Sequence, residues 1–118
     1  MNIDNTGKRL TILVGESDRH GHHSLVSEIV KRVHSAGLAG ATVFRGVEGY
    51  GATNRLHTTH LLSLSDDLPM AIVIIDTEER MRAFLPTLDD VVGNGVMTLE
   101  DVQILSADTS DGAKDAES

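Results

Sequence analysis

Residues 68–85 read Leu-Pro-Met-Ala-Ile-Val-Ile-Ile-Asp-Thr-Glu-Glu-Arg-Met-Arg-Ala-Phe-Leu, and the change of period inside this stretch decides the fold. Met70–Ile75 is a continuous apolar run, the pattern of a strand buried on both faces. After Asp76 the apolar positions Met81, Phe84, Leu85, Leu88, Val91 and Val92 recur at helical spacing. Asp76 with Glu79 three residues on predicts a capping box at the start of that helix. Pro86 conflicts with it, because an interior proline removes a hydrogen bond and clashes with the preceding turn at a cost of about 3 kcal/mol. The periodicity predicts that the helix persists with a kink or an irregular turn. Gly93-Asn94-Gly95 ends it, and Val96–Leu105 returns as a strand with Val102 and Ile104 on one face.

The same order of elements stands upstream. Leu10, Ile12 and Val14 alternate with Thr11 and Leu13 as a strand, and Leu25, Val26, Ile29, Val30, Val33 and Ala36 follow at helical spacing up to Gly37. Gly15-Glu16-Ser17-Asp18 is read as the cap of this helix, with ligand contact as the alternative. Ala41–Val47 is β-prone and closes the first half. The whole is βαβ–βαβ, which predicts an α+β ferredoxin-like sandwich: four antiparallel strands with both helices on one face. No element is left to cover the other face of the sheet, so oligomerisation through the sheet is expected.

The chain has 118 residues, enough to bury roughly 12,000 of about 18,000 Å² in one core and too few for two. One domain over 1–105 is expected, followed by an acidic tail over 106–118 that has no large apolar residue to offset its ordering entropy. There is no cysteine, so disulfides, zinc–thiolate sites and thiol nucleophiles are excluded. Eighteen acidic residues against ten basic ones, with only Phe44, Tyr50 and Phe84 as aromatics, argue against nucleic-acid binding. Met1–Gly7 has no apolar stretch resembling a signal sequence, and a cytoplasmic location is expected.

The connection from Glu48 to Asp67 is longer than compact domains keep without a use, and mobility in the absence of ligand is expected of it. It opens on Gly46-Val47-Glu48-Gly49-Tyr50-Gly51, where glycines allow backbone amides to approach an anion or simply form a bulged hairpin. Gly93-Asn94-Gly95 is either a second such cluster or a plain helix stop. Arg45, Arg55 and Arg19 are cations able to neutralise phosphate. His20, His22 and His23, and the pair His57 and His60, raise the alternative of a divalent metal. No nucleophile elbow of the GxSxG type occurs, the carboxylates of Asp66-Asp67 before a strand are expected to point apart, Asp89-Asp90 is read as solvated, and an enzyme is not expected.

KRLTILVGESDR (8–19), GLAGATVFRGVEGYG (37–51), HTTHLLSLSDDLPMAIVIIDTEERMRAFLPTLDDVV (57–92) and GNGVMTLEDVQIL (93–105) together resemble the PII-like family catalogued as domain of unknown function 190. The resemblance covers roughly residues 7–105. In the wider PII superfamily, Val47-Glu48-Gly49-Tyr50-Gly51 is similar to the segment that opens the T-loop. Asp66-Asp67-Leu68-Pro69 resembles the step into strand three, and Gly93–Asp101 falls where the phosphate-contacting B-loop lies. The resemblance implies a trimeric signalling protein that binds a small-molecule effector, an adenine nucleotide of the AMP, ADP or ATP type, between subunits. It also implies that the long loop docks on a membrane transporter or a cytosolic enzyme. Carried over residue by residue, the ligand-binding set is Arg45, Gly46, Glu48, Gly49, Tyr50, Gly51, Leu68, Gly93, Asn94 and Gly95. The basic residue of the PII B-loop is missing from Thr98-Leu99-Glu100-Asp101-Val102, as are the C-terminal arginines that hold a triphosphate, so a less charged ligand such as AMP is implied. The alternative is a trimeric divalent-metal-binding protein similar to the cation-tolerance (CutA) family.

Overall fold

The computed structural model describes residues 2–49, 67–93 and 95–106. β1 (Asn2–Gly15) is followed by the two-residue strands β2 (Arg19–His20) and β3 (His23–Ser24), then α1 (Leu25–Ser35) and β4 (Thr42–Arg45). β5 (Pro69–Thr77) leads into α2 (Glu78–Phe84), a 3₁₀ helix over Leu85–Leu88 and β6 (Val96–Ser106). The four longer strands form one antiparallel sheet in the order β4-β5-β1-β6. This is the ferredoxin-like arrangement expected from the two βαβ halves.

Register assigns every side chain its face. Leu10, Ile12 and Val14 lie opposite Ile74, Ile72 and Met70. With Leu25, Ile29 and Val33 of α1 and Met81, Phe84, Leu88 and Val91 of the second half they build a single buried core. The alternate positions Arg9, Thr11 and Leu13 share the other face with Ala71, Val73, Ile75, Val96, Thr98 and Glu100. Among the described residues no helix packs there: Phe44 is 57% exposed, Val96 45% and Ile75 42%. Among these residues the apolar run of β5 is covered on the helix side only. Among the described residues no helix is long and apolar enough to cross a membrane.

Three local expectations are corrected. The side-chain cap of α1 is Ser24, whose hydroxyl accepts from the Ser27 N–H at 3.3 Å, and the Gly15–Asp18 turn contributes only the Asp18 carbonyl, which accepts from the Leu25 N–H at 2.9 Å. That turn closes on itself, the Gly15 N–H donating to Asp18 Oδ2 at 3.0 Å, and the β2–β3 hairpin lies between it and the helix. The cap of α2 is Thr77, accepting from the Arg80 N–H at 3.3 Å, which puts Arg80 where a capping box needs Glu or Gln. Asp76 is instead buried, and its Oδ2 accepts from the Ala39 N–H at 2.8 Å, tying the α1–β4 connection to the end of β5. Finally, Pro86 does not kink a continuous helix. The α-helix stops at Phe84 and a 3₁₀ turn takes the proline in its first turn, where its missing N–H is not required. Leu88 and Val91 still reach the core, so the periodicity survives the change of helix type.

Gly37 terminates α1 as expected: its φ of 76° is the left-handed position after the cap, and the Leu38 N–H returns to the Val33 carbonyl at 3.3 Å. Arg32 on the same helix donates to Glu28 at 2.8 Å, to the Thr87 carbonyl at 2.6 Å and to Asp90 at 2.7 Å. Asp90 is thus one arm of a clamp between the two helical segments and not merely solvated. Hydrogen bonds from the guanidinium hold the Glu28 and Asp90 carboxyls below the usual carboxylate range.

Two outcomes follow for stability. Asp76→Ala leaves the Ala39 N–H without its acceptor and is expected to cost about 1–3 kcal/mol in urea unfolding; an unchanged midpoint would contradict the tie. Carboxyls whose pKa is lower in the folded chain contribute stability above their unfolded value, and that contribution is lost as pH falls through the folded one. The urea midpoint should therefore decline below about pH 4, the ordinary carboxylate range, and Arg32→Met should flatten that decline.

Candidate functional site

The described members of the sequence-predicted set lie at one end of the sheet, because the strand order brings four strand ends there. β1 ends at Gly15, β4 ends at Arg45, β5 begins at Pro69 and β6 begins at Val96. The start of β5 is the fixed point. The Leu68 carbonyl accepts from the Glu16 N–H at 2.8 Å, and the Pro69 carbonyl accepts from the Gly46 N–H at 2.7 Å. The exits of β1 and β4 are thereby pinned on either side of one dipeptide. Asp67 supports the first of them, Oδ1 accepting from the Ser17 N–H at 3.1 Å.

Arg45 reaches across this junction to Glu16, with Nη2 3.0 Å from Oε2 and 3.2 Å from Oε1. Gly46 and Gly49 lie against the Pro69 ring. A Cβ on Gly46 would stand 2.7 Å from Pro69 Cγ, and one on Gly49 would stand 3.1 Å from the same atom. Gly49 also has a φ of 153°, a backbone position that favours glycine. Glu48 is exposed beside them. Tyr50, Gly51, Asn94, Arg55, His57, His60 and the connection 50–66 lie outside the described residues, as does the tail beyond Ser106.

Gly93 and Gly95 stand at the same end of the sheet but on its opposite edge. β4 and β6 are separated by two strands, so roughly 14 Å divides them at the spacing of a sheet. Within one chain the Arg45–Gly49 exit and the Gly93–Gly95 turn are not brought together. The two glycines also differ from each other. A Cβ on Gly95 would be 3.0 Å from the Leu13 carbonyl oxygen and 3.0 Å from Val92 Cγ1, so packing alone accounts for a glycine there. A Cβ on Gly93 would meet nothing within 4 Å.

His20 and His23 face each other across the β2–β3 hairpin. Among the described residues no group of three or more histidines and carboxylates is placed to hold a metal ion. A depression of about 520 Å³ between the end of α1 and α2, lined in part by Leu38, Arg80 and Phe84, contains none of the sequence-predicted site residues. The sequence offers Gly15–Asp18 as a cap or a ligand contact, but the pairing of Glu16 with Arg45 escapes it. Glu16 is 29 residues from Arg45 and two strands away, a proximity that only the strand order creates.

A family profile described as "Uncharacterized ACR" (DUF190) matches residues 7–104. The chain belongs to the DUF190 family. Among its relatives, a UPF0166 protein of Aquifex aeolicus is 36% identical over 100 residues, covering 83% of this chain and 92% of that protein. A second UPF0166 protein, from Methanocaldococcus jannaschii, is 31% identical over 103 residues, covering 86% of this chain and 94% of the relative. Among solved structures, CPII of Thiomonas intermedia K12 bound to ADP, AMP and acetate superposes with a TM-score of 0.60 at 19% identity, covering 86% of this chain and 91% of that one. A candidate PII-like signalling protein of Thermus thermophilus gives 0.57 at 17% identity, with the same coverage. The fold of this DUF190 member is therefore PII-like.

The contacts at Pro69 separate two glycines by experiment. Gly46→Ala must displace either the proline ring or its carbonyl and is expected to cost about 1–3 kcal/mol, as overpacking does. Gly93→Ala is expected to stay within about 0.5 kcal/mol of the wild type. Equal costs in urea unfolding would contradict the packing described.

Proposed function

We propose that this protein is a PII-like regulatory protein, not an enzyme, that binds an adenine nucleotide in clefts between the subunits of a homotrimer. The observation that carries this reading is the likeness of its fold to CPII, whose structure holds ADP and AMP. The geometry of the single chain supports the intersubunit part. The Arg45–Gly49 exit and the Gly93–Gly95 turn lie on opposite edges of one end of the sheet. Placing them in a common cleft takes one from each of two protomers. The open sheet face, with Phe44, Ile75 and Val96 exposed, supplies the apolar surface for such an assembly.

In this cleft the Gly46 N–H stays on the Pro69 carbonyl, the amides of the Gly49–Gly51 segment approach the phosphate oxygens, and Arg45 adds a charge-assisted contact, stronger than a neutral hydrogen bond. The glycines at 93 and 95 and the backbone at Leu68 complete the site, with Tyr50, Gly51 and Asn94 as the remaining members of the set. A single arginine among Glu16, Glu48 and Asp67 suits a monophosphate better than a triphosphate. The connection between β4 and β5 is the arm through which occupancy is passed to a transporter or a cytosolic enzyme.

Calorimetry with AMP, ADP and ATP tests this directly. AMP is expected to bind at least as tightly as ATP, to a particle whose light-scattering mass is three times 12.7 kDa. Gly49→Val is expected to abolish binding, because it adds a branched side chain at a left-handed position against Pro69, while the trimer stays intact. No heat with any adenine nucleotide, a monomeric mass, or normal binding by Gly49→Val would each contradict the proposal.

A further inference from the structure

Arg45 does not present a bare positive charge. Its guanidinium is already engaged by the Glu16 carboxylate, through Nη2 at 3.0 and 3.2 Å from the two oxygens. The pairing is built into the backbone. The Glu16 N–H is held by the Leu68 carbonyl at 2.8 Å, and the residue after Arg45 is held by the Pro69 carbonyl at 2.7 Å. Both side chains thus spring from main chain fixed to the same dipeptide, and neither has to search for the other. Their heads remain accessible, Arg45 being 57% and Glu16 34% exposed. An exposed ion pair of this kind is weak enough for a competing anion to displace.

We infer that Glu16 is a specificity-determining residue of the nucleotide site: an internal anion that competes with the ligand phosphate for Arg45 and discriminates against polyphosphates. This rests on the nucleotide reading proposed above. A ligand phosphate that takes Arg45 leaves the Glu16 carboxylate close by, and its repulsion grows with each further negative charge on the ligand. A monophosphate meets one such penalty. A triphosphate meets a larger one, with no second arginine among the described site residues to offset it. Charge alone is at work, so an uncharged nucleoside is indifferent to Glu16.

The experiment compares the full-length wild type with Glu16→Gln and Arg45→Gln, by equilibrium binding of adenosine, AMP and ATP. Glutamine keeps the size of the side chain and an oxygen that can still accept from Arg45, while removing the charge. Glu16→Gln is expected to bind AMP about two- to fivefold more tightly, the range set by releasing an exposed ion pair. ATP is expected to gain by a larger factor than AMP, and adenosine is expected not to change. Raising the salt concentration should shrink the difference between variant and wild type. Arg45→Gln is expected to weaken AMP binding and to weaken ATP binding by a larger factor, because the Glu16 charge is then left without its partner. Equal gains for adenosine and ATP would mean a change of shape, and unchanged AMP and ATP binding by Glu16→Gln would mean no competition; either overturns the role of Glu16 while leaving nucleotide binding standing. Absence of binding by the wild type and by Glu16→Gln alike overturns the nucleotide reading itself, and this inference with it.

Discussion

The carbonyl groups of Leu68 and Pro69 are the point on which the arrangement at the sheet's end depends. Each accepts one backbone N–H, from Glu16 on one side and from Gly46 on the other, at 2.8 and 2.7 Å. Proline suits the first position of a strand because it has no N–H to leave unpaired, while its carbonyl remains a full acceptor. With the exits of β1 and β4 fastened to that dipeptide, the Arg45–Glu16 pair, the glycines packed on the Pro69 ring and the start of the long connection all acquire definite places. Loosening the junction would release each of them together.

The sheet's two faces divide the remaining work. One is filled by α1, α2 and the 3₁₀ turn around Ile12, Ile72 and Phe84. The other carries an alternation of apolar and threonine side chains with the Arg9–Glu100 ion pair at its margin, Nη2 lying 2.7 Å from Oε1. Hydrophobic burial is proportional to apolar area removed from water, and the single chain leaves the area around Phe44, Ile75 and Val96 uncollected. The self-association proposed for this face would cover the second side of a strand whose sequence reads as buried on both.

Much of the fold was legible in the sequence because period is a strong local signal. The run Met70–Ile75, the stripe Leu25–Ile29–Val33 and the stop at Gly37 each report a single element and its facing side. The caps were less legible, since Asp76 and Thr77 are adjacent and both are good caps. The choice fell to Thr77 because the Asp76 side chain is turned inward to the Ala39 N–H, a contact 37 residues distant. Pro86 could be placed in a helical segment but its accommodation could not, because α and 3₁₀ turns share the same apolar spacing over so short a length. At the site, glycine positions were visible in the sequence, yet their reasons were not. Gly95 is explained by the approach of Leu13 and Val92, and Gly46 by Pro69. The partnership of Glu16 with Arg45 left no local trace at all, since it depends on two strands being placed on either side of a third.

The central claim is that a nucleotide phosphate sits at the Arg45–Gly49 exit of one protomer, facing the Gly93–Gly95 turn of another. A crystal structure of the full-length protein grown with AMP tests it most directly. The account predicts density for the nucleotide between two protomers, with its phosphate on the amides of the Gly49–Gly51 segment and Arg45 turned from Glu16 towards it. Nucleotide density confined to one chain, or lying away from Arg45 with the Glu16 pair intact, would contradict it.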